Sequence, residues 1–551
     1  MKQEENQKAW TGHPRPQMRR KEYKILQDGW ELNSRPIRMP YPPQSRLSGY
    51  DGPVGDELCY TCKFSVPDEW KEGRVILHFG AVDQIAQVRV NGADLGTHEG
   101  GYLPFSFDIT EMLLQESYLE LTAIDELSKD YPYGKQCKKP HGMWYTPVSG
   151  IWQQVWLEHV PDLYIEKLEI TPSLDSVKIS VSCNKIPEHI RVVITLADGK
   201  TLEAESADGN FEIEIPNPRL WTPEDPYLYD LMVFAGADCV QSYFALRTIE
   251  ICRMDGVHRV CLNQKPIFLH GVLDQGYFED GLFLPESEAG YEQDILNMKR
   301  LGFNLLRKHI KVEPECFYYA CDRLGMLVMQ DMVNNGSYHF LRDTALPTVG
   351  LKHLKDTHRN RSPKVREVFR KHTRDTIAHL YNHPCIVAYT IFNEGWGQFL
   401  ADEMYDMVKK LDSTRLVDAT SGWFVQKKND FDSEHIYFRL KKLRPKERPL
   451  FVTECGGYQY LLADHFYGKK EYGYGACKSS GELTSRIEEM YEKMILPYIR
   501  GGVCGCIYTQ LSDVEGEING LYTYDRKVCK VDAQRLRKMA DRLKDKKNFD
   551  K

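Results

Sequence analysis

The sequence predicts a multidomain protein in which a β jelly roll and an immunoglobulin-like β-sandwich precede a (β/α)8 TIM barrel. Three observations carry that prediction. The chain has 551 residues, too many for one ordinary core. Up to about residue 253 it runs in short alternations of apolar and polar residues broken by Gly, Asn and Asp, the pattern of half-buried strands. Beyond about residue 254 eight apolar strands recur, mostly separated by helical stretches, and several end in polar residues. The expected division is 1–159, 160–253 and 254–551.

In the first segment the clearest runs begin at Arg74 and Ala86, and Asn91-Gly92 behind the second is a strong hairpin signal. In the second, strands starting at Ser176 and Ile190 recur at the 8–12-residue spacing typical of a seven-stranded sandwich. The third opens with an apolar strand at Ile267. A helix follows with Tyr291, Ile295 and Met298 on one face and Gly302 behind it. The strand from Asn304 comes next. Pro314 then opens a helix carrying Phe317, Cys321 and Leu324 on one face. Further strands are expected at Leu327–Asp331, Ile386–Glu394, Arg415–Ala419, Glu434–Tyr437, Pro449–Glu454 and Gly502–Tyr508.

Composition narrows the function. Lys and Arg total 72 against 79 Asp and Glu, a net charge of −7 with a pI near 6.2. With no basic surplus to neutralise phosphates, nucleic acid is not expected as a partner. Mean hydropathy is −0.50 and no run of 18 apolar residues occurs, so no membrane span is expected. The charged stretch Met1 to Asn6 lacks the apolar run of a secretory signal, and 15 cysteines is an odd number. Both point to reduced thiols and a cytoplasmic protein. Cys59 and Cys62 form a CxxC whose odd spacing within a strand sends them to opposite faces, which argues against zinc. Aromatics are plentiful, with 32 Tyr, 22 Phe and 9 Trp, a hint of stacking surfaces for sugars or bases.

Two strands end in a carboxylate at the face where barrel chemistry is expected. One closes on Asn393 and Glu394 with Trp396 behind; the other closes on Thr453 and Glu454. Glycoside hydrolysis needs two carboxyl groups flanking the scissile bond, one protonated to serve the leaving oxygen and one ionised to attack the anomeric carbon. An ordinary ion pair at the barrel rim is the plain alternative for either Glu alone.

Read with their flanks, these residues resemble glycoside hydrolase family 2, the family of β-galactosidases, β-glucuronidases and β-mannosidases. The resemblance spans nearly the whole chain. It rests on Gly92 to Thr110, with Gly100 to Phe105 within it, and Val148 to Glu158 in the first segment, and on Asn217 to Tyr229 in the second. In the third it rests on Gly302 to His309 and Asn382 to Glu394. It implies a retaining exo-β-glycosidase acting on terminal β-linked hexose or hexuronic acid, with Glu394 as acid/base and Glu454 as nucleophile. Asn393 matches the residue that bonds the substrate 2-hydroxyl. Tyr437 resembles a tyrosine that steadies the nucleophile, unless it is simply a buried strand residue. Arg307 and His309 match positions near the nucleophile and the sugar. Asp274 and Asp331 would bond sugar hydroxyls or form structural ion pairs, and Trp396 and Tyr508 are candidates for stacking on a sugar face.

One departure bears on the substrate. Where the family's β-glucuronidases carry Asn-x-Lys, this chain has Asn519-Gly-Leu, without the lysine that would read a carboxylate. Lys308 and Lys311 beside Arg307 offer a basic cluster that an acidic sugar could use, or a solvated charged loop. No cofactor and no metal are expected. The partner expected is a small carbohydrate or glycoconjugate, and the resemblance leaves a homo-oligomer open. Two long loops, Met332 to Pro363 and the Tyr-rich stretch from Gly456 to Ser480, are expected to wall the site into a pocket. The alternative reading is a catalytically inactive carbohydrate-binding scaffold. An aldolase or metal-dependent hydrolase would need a Schiff-base Lys or a metal cluster at the strand ends.

Overall fold

The structure, a computed structural model, describes residues 10–70, 72–348, 355–357, 359–437 and 439–549. The charged stretch at Met1 and part of the first long loop lie outside the described residues. The first sandwich faces a six-stranded antiparallel sheet against a four-stranded one. In Glu57–Phe64 every second side chain points inward, so Leu58, Tyr60, Cys62 and Phe64 enter the core while Cys59 faces solvent. The hairpin of Ile85–Val90 and Ala93–Glu99 turns at Asn91 and Gly92. Both residues have positive φ, 51° and 81°, as a two-residue turn matched to strand twist demands.

The second sandwich packs a three-stranded sheet (Ile165–Pro172, Ser176–Cys183, Asn210–Glu214) on a four-stranded one. Val177, Ile179, Val192, Ile194, Leu231 and Val233 form its core. Arg20 joins the two sandwiches: its buried guanidinium donates to Glu158 of the first at 2.9 Å and to Asp238 of the second at 2.8 Å.

Eight parallel strands make the barrel: β1 (Leu269–Asp274), β2 (Leu305–Lys308), β3 (Leu327–Asp331), β4 (Ile386–Asn393), β5 (Leu416–Ser421), β6 (Asp432–Ile436), β7 (Leu450–Gly456) and β8 (Val503–Thr509). Their spatial order is β5-β4-β3-β2-β1-β8-β7-β6, so sequence neighbours pair throughout and the barrel is nearly closed. Helices α1 (Ala289–Leu301), α2 (Glu315–Leu324), α3 (Pro363–Leu380), α4 (Ala401–Leu411), α5 (Ser480–Met490) and α6 (Ala533–Leu543) lie outside it. Ser362, Ser479 and Asp532 accept from the free first-turn N–H groups at the starts of α3, α5 and α6. Gly302 ends α1 with φ +94°, and a side chain there would collide with Ala540 of α6.

The segment 127–147 leaves the first sandwich and lies across the barrel mouth. Tyr133 donates its N–H to the Asn334 carbonyl at 3.1 Å and its hydroxyl to the Gly336 carbonyl at 2.9 Å. At the other end the Tyr145 hydroxyl donates to Glu517, and the Thr146 N–H donates to Glu515 at 2.9 Å. Among the described residues no helix is long and apolar enough to cross a membrane.

Candidate active site

Side chains alternate along a barrel strand, so every second residue points inward. Arg307 on β2 does so, fully buried, and it organises the floor of the mouth. Its guanidinium donates to both oxygens of Asp331 at 3.0 Å, to the Thr453 carbonyl at 3.2 Å, to Glu454 at 3.1 Å and to the Asn393 side-chain oxygen at 2.9 Å. Burial alone would lower its pKa, but the charges of Asp331 and Glu454 outweigh that and raise it. The bond to Asn393 fixes that amide with its NH2 end free to donate elsewhere.

Glu454 sits at a register shift in β7, between Val452 and Cys455 relative to β8. Such a bulge re-aims a side chain into the mouth. Burial would raise its carboxyl, but His435, the Arg307 guanidinium and the Tyr437 hydroxyl together bring it down to about 2. Glu394 closes β4 in left-handed backbone, φ 51°, with its N–H on the Ser421 carbonyl at 3.0 Å. Gly395 continues with φ +70°, and a Cβ there would lie 2.1 Å from the Phe424 ring, so the turn requires glycine.

Tyr437 bridges the two carboxylates, donating to Glu454 Oε2 at 2.5 Å with Glu394 Oε1 at 3.3 Å. His435, which the sequence reading did not single out, lies between the same groups. Its Nδ1 is 2.7 Å from Glu394 Oε1, and its Nε2 is 3.1 Å from the Ser421 hydroxyl and 3.7 Å from Glu454 Oε1. The only sequence sign of it was its spacing: two residues before Tyr437 on one strand, it shares the inward face. Glu394, His435 and Glu454 each present a donor atom within 4.8 Å of the others, the composition of a metal site. A cation there would meet the fixed charge of Arg307, 3.1 Å from Glu454, which disfavours it.

His309 and Asp331 also belong to the floor, with Nδ1 2.6 Å from Asp331 Oδ2. The loop from Gly456 adds Tyr474, whose ring stacks on Tyr437 at 4.7 Å. Trp396 turns its ring toward Tyr133, Trp144 and Tyr338 in edge-to-face contacts of 5.1 to 6.2 Å, so it packs against the segment crossing from the first sandwich. Trp144 and Tyr472 line two adjoining cavities of about 650 and 850 Å³ beside it.

Four residues of the sequence reading lie elsewhere. Lys308 follows Arg307 and therefore points out of the barrel, where its ammonium is 2.7 Å from both Asp274 and Glu313. Lys311 is 2.8 Å from Glu313 and donates to the Gly276 and Phe283 carbonyls. Both lysines are buried and neutralised, neither a solvated loop nor a cluster open to a sugar. Asp274 is accordingly the partner of Lys308 and the Gly276 N–H. Tyr508 is wholly buried in the barrel wall, with its ring against Gly456, and offers no face to a ligand.

A barrel with two carboxylates converging at its mouth behind two β-sandwiches defines a class, and sequence comparison agrees with it. A model described as "Glycosyl hydrolases family 2, TIM barrel domain" matches 255–500, and "Glycosyl hydrolase 2 galactose-binding domain-like" matches 54–154. "Glycosyl hydrolases family 2" matches 163–247. The chain belongs to glycoside hydrolase family 2. Among curated relatives, the β-galactosidase of Thermoanaerobacter pseudethanolicus is 27% identical over 439 residues, which cover 73% of this chain and 54% of that protein. The β-galactosidase of Aeromonas hydrophila subsp. hydrophila is 27% identical over 418 residues, 70% of this chain and 38% of that one. The chain thus spans about half the length, or less, of these relatives. Solved structures share the fold along the full chain. An uncultured Clostridium sp. β-glucuronidase superposes with a TM-score of 0.74 at 20% identity, covering 95% and 99% of the two chains. A β-galacturonidase from Eisenbergiella tayi bound to galacturonate gives 0.71 at 18% identity, covering 97% and 99%.

Proposed function

We propose that the protein is a retaining exo-β-glycosidase that removes terminal β-linked hexose or hexuronic acid units by double displacement. The observation that carries this reading is the convergence of Glu394 and Glu454 on one tyrosine, with donor atoms within 4.8 Å. That spacing suits a nucleophile and an acid/base ~5–5.5 Å apart rather than an inverting pair ~6.5–9.5 Å apart with a water between them. Glu454, held ionised by Arg307 and Tyr437, attacks the anomeric carbon and forms a glycosyl-enzyme. Glu394 gives its proton to the leaving oxygen and then takes one from the incoming water. His435, 2.7 Å from Glu394, orients that carboxyl and gives its proton a second resting place. The Asn393 amide, fixed by Arg307, donates to the substrate 2-hydroxyl.

The segment 127–147 and the loop from Gly456 wall the mouth, which supports removal of one terminal unit at a time. A panel of aryl β-glycosides including galactoside, glucuronide and galacturonide, followed by proton NMR of the first-formed anomer, tests the reading. It expects turnover with the β-anomer released first; the α-anomer, or inertness toward the whole panel, would defeat it. We further propose the domain division 1–159, 160–253 and 254–551, a cytoplasmic location, and no nucleic-acid or membrane partner. Self-association into a homo-oligomer stays open within the same reading.

A further inference from the structure

We propose that Lys135, carried to the barrel mouth by the first sandwich, reads an acidic substituent on the terminal sugar, so that the substrate is a β-linked hexuronic acid. This rests on the hydrolase reading above and deepens it.

The cations around the mouth differ in what holds them. Arg307 is committed to Asp331, Glu454 and Asn393, and Lys308 and Lys311 to Asp274 and Glu313. Lys135 is different: it is half-buried, yet among the described residues nothing pairs with its ammonium. A half-buried ammonium without a counter-ion is costly unless an anion arrives to meet it.

Its position is fixed rather than incidental. Tyr133 is bonded to the Asn334 and Gly336 carbonyls on the barrel side. Gly134, at φ +60°, is pressed onto the rim so closely that a Cβ would lie 2.8 Å from the Ile310 carbonyl, one residue beyond His309. The Lys135 carbonyl accepts from the Tyr145 N–H at 3.0 Å, and the Gln136 side chain donates to Asp83 at 2.8 Å and Tyr102 at 3.1 Å. The chain just before Lys135 is therefore held against the rim at the end of β2, beside the floor of the site, while Gln136 ties the chain after it to the first sandwich. The side chain reaches that floor electrically as well. His309 is held well below its ordinary pKa, chiefly by burial and next by the positive charge of Lys135. Balancing Glu454 does not need this second cation, since Arg307 already lies 3.1 Å from it. What lacks a partner is the lysine, and a carboxylate on the glycone supplies one as a charge-assisted hydrogen bond.

The test uses the full chain and matched aryl glycosides that differ only at C6: β-galacturonide against β-galactoside, and β-glucuronide against β-glucoside. The wild-type protein is expected to favour a uronide, with a KM for it that rises with salt. Lys135→Gln is expected to cut the uronide-to-neutral ratio of kcat/KM by roughly 10- to 100-fold, the scale of one charged hydrogen bond, and Lys135→Arg to recover part of it. Lys138→Gln, on the same segment but paired with Asp56 at 3.0 Å, should leave the ratio alone. Thermal unfolding of each variant separates a folding defect from a change of selectivity. A wild-type preference for neutral glycosides, or an equal loss on both members of a pair in Lys135→Gln, overturns the assignment while leaving the hydrolase reading intact. Inertness on every glycoside overturns both.

Discussion

Arg307 and Lys308 are adjacent on β2, both fully buried and both cationic, yet they belong to different parts of the molecule. Arg307 points into the barrel, among Asp331, Asn393 and Glu454. Lys308 points outward, into a charge network with Asp274, Glu313 and Lys311 beneath α1 and α2. The inward set surrounds an open mouth and holds the Glu454 carboxyl below its ordinary range. The outward set is closed: Glu313 takes up both lysines and the Tyr291 hydroxyl, and no group is left over for a ligand. Burial and charge are alike in the two sets, so neither marks function by itself. What differs is whether the partners are exhausted.

That contrast can be broken from either side. The largest effect is expected from Glu454→Gln, which should reduce kcat by roughly 10⁴-fold or more while the protein still folds; near-normal turnover would remove Glu454 from its role. Arg307→Lys keeps the charge but loses the fork that reaches four partners at once, and kcat should fall by roughly 10²–10³-fold. If it instead behaves as wild type, the inward set is structural like its neighbour. In the outward set, Glu313→Gln strands the buried Lys311 ammonium and leaves Lys308 with Asp274 alone, and it should lower stability by about 3–5 kcal/mol in denaturant titration. The folded variant should retain its kcat; a selective loss of turnover with unchanged stability would place this network in the chemistry. The smallest effect concerns pH. The folded Glu454 carboxyl titrates near 2, below the ordinary 4.5, so its ionised form stabilises the fold above pH 4.5, and that contribution is lost as the pH falls toward 2. The Tm advantage of wild type over Glu454→Gln should shrink across that window; an advantage that grows on acidification would contradict the depressed value.

Much of the fold was legible from local pattern. Asn91-Gly92 marked its hairpin because only that turn geometry wants positive φ twice. Gly302 marked the end of α1, and apolar strands ending in Asn393-Glu394 and Thr453-Glu454 marked the face where the two carboxylates converge. The candidate residues that lie away from the mouth share one cause. Lys308, Lys311, Asp274 and Tyr508 lie near strand ends, where residue type suggested a ligand, but strand parity and packing turned them into the wall. His435 escaped notice for the opposite reason, since its role depends on Glu394 arriving from another strand.

The sequence by itself determined the order of the domains, the strands of the barrel and the two carboxylates at their ends, because these follow from periodicity, turn chemistry and short motifs. The tertiary structure decided which charges stay available. Only the fold brings Tyr437 and His435 between Glu394 and Glu454, spends Lys308 and Lys311 on Glu313, and lays Trp144 and Lys135 of the first sandwich across a barrel that begins more than a hundred residues later in the chain. Apart from the lysines that meet Glu313 two and five residues away, these pairings and the closure of the pocket are long-range contacts, and no local window of sequence contains both partners.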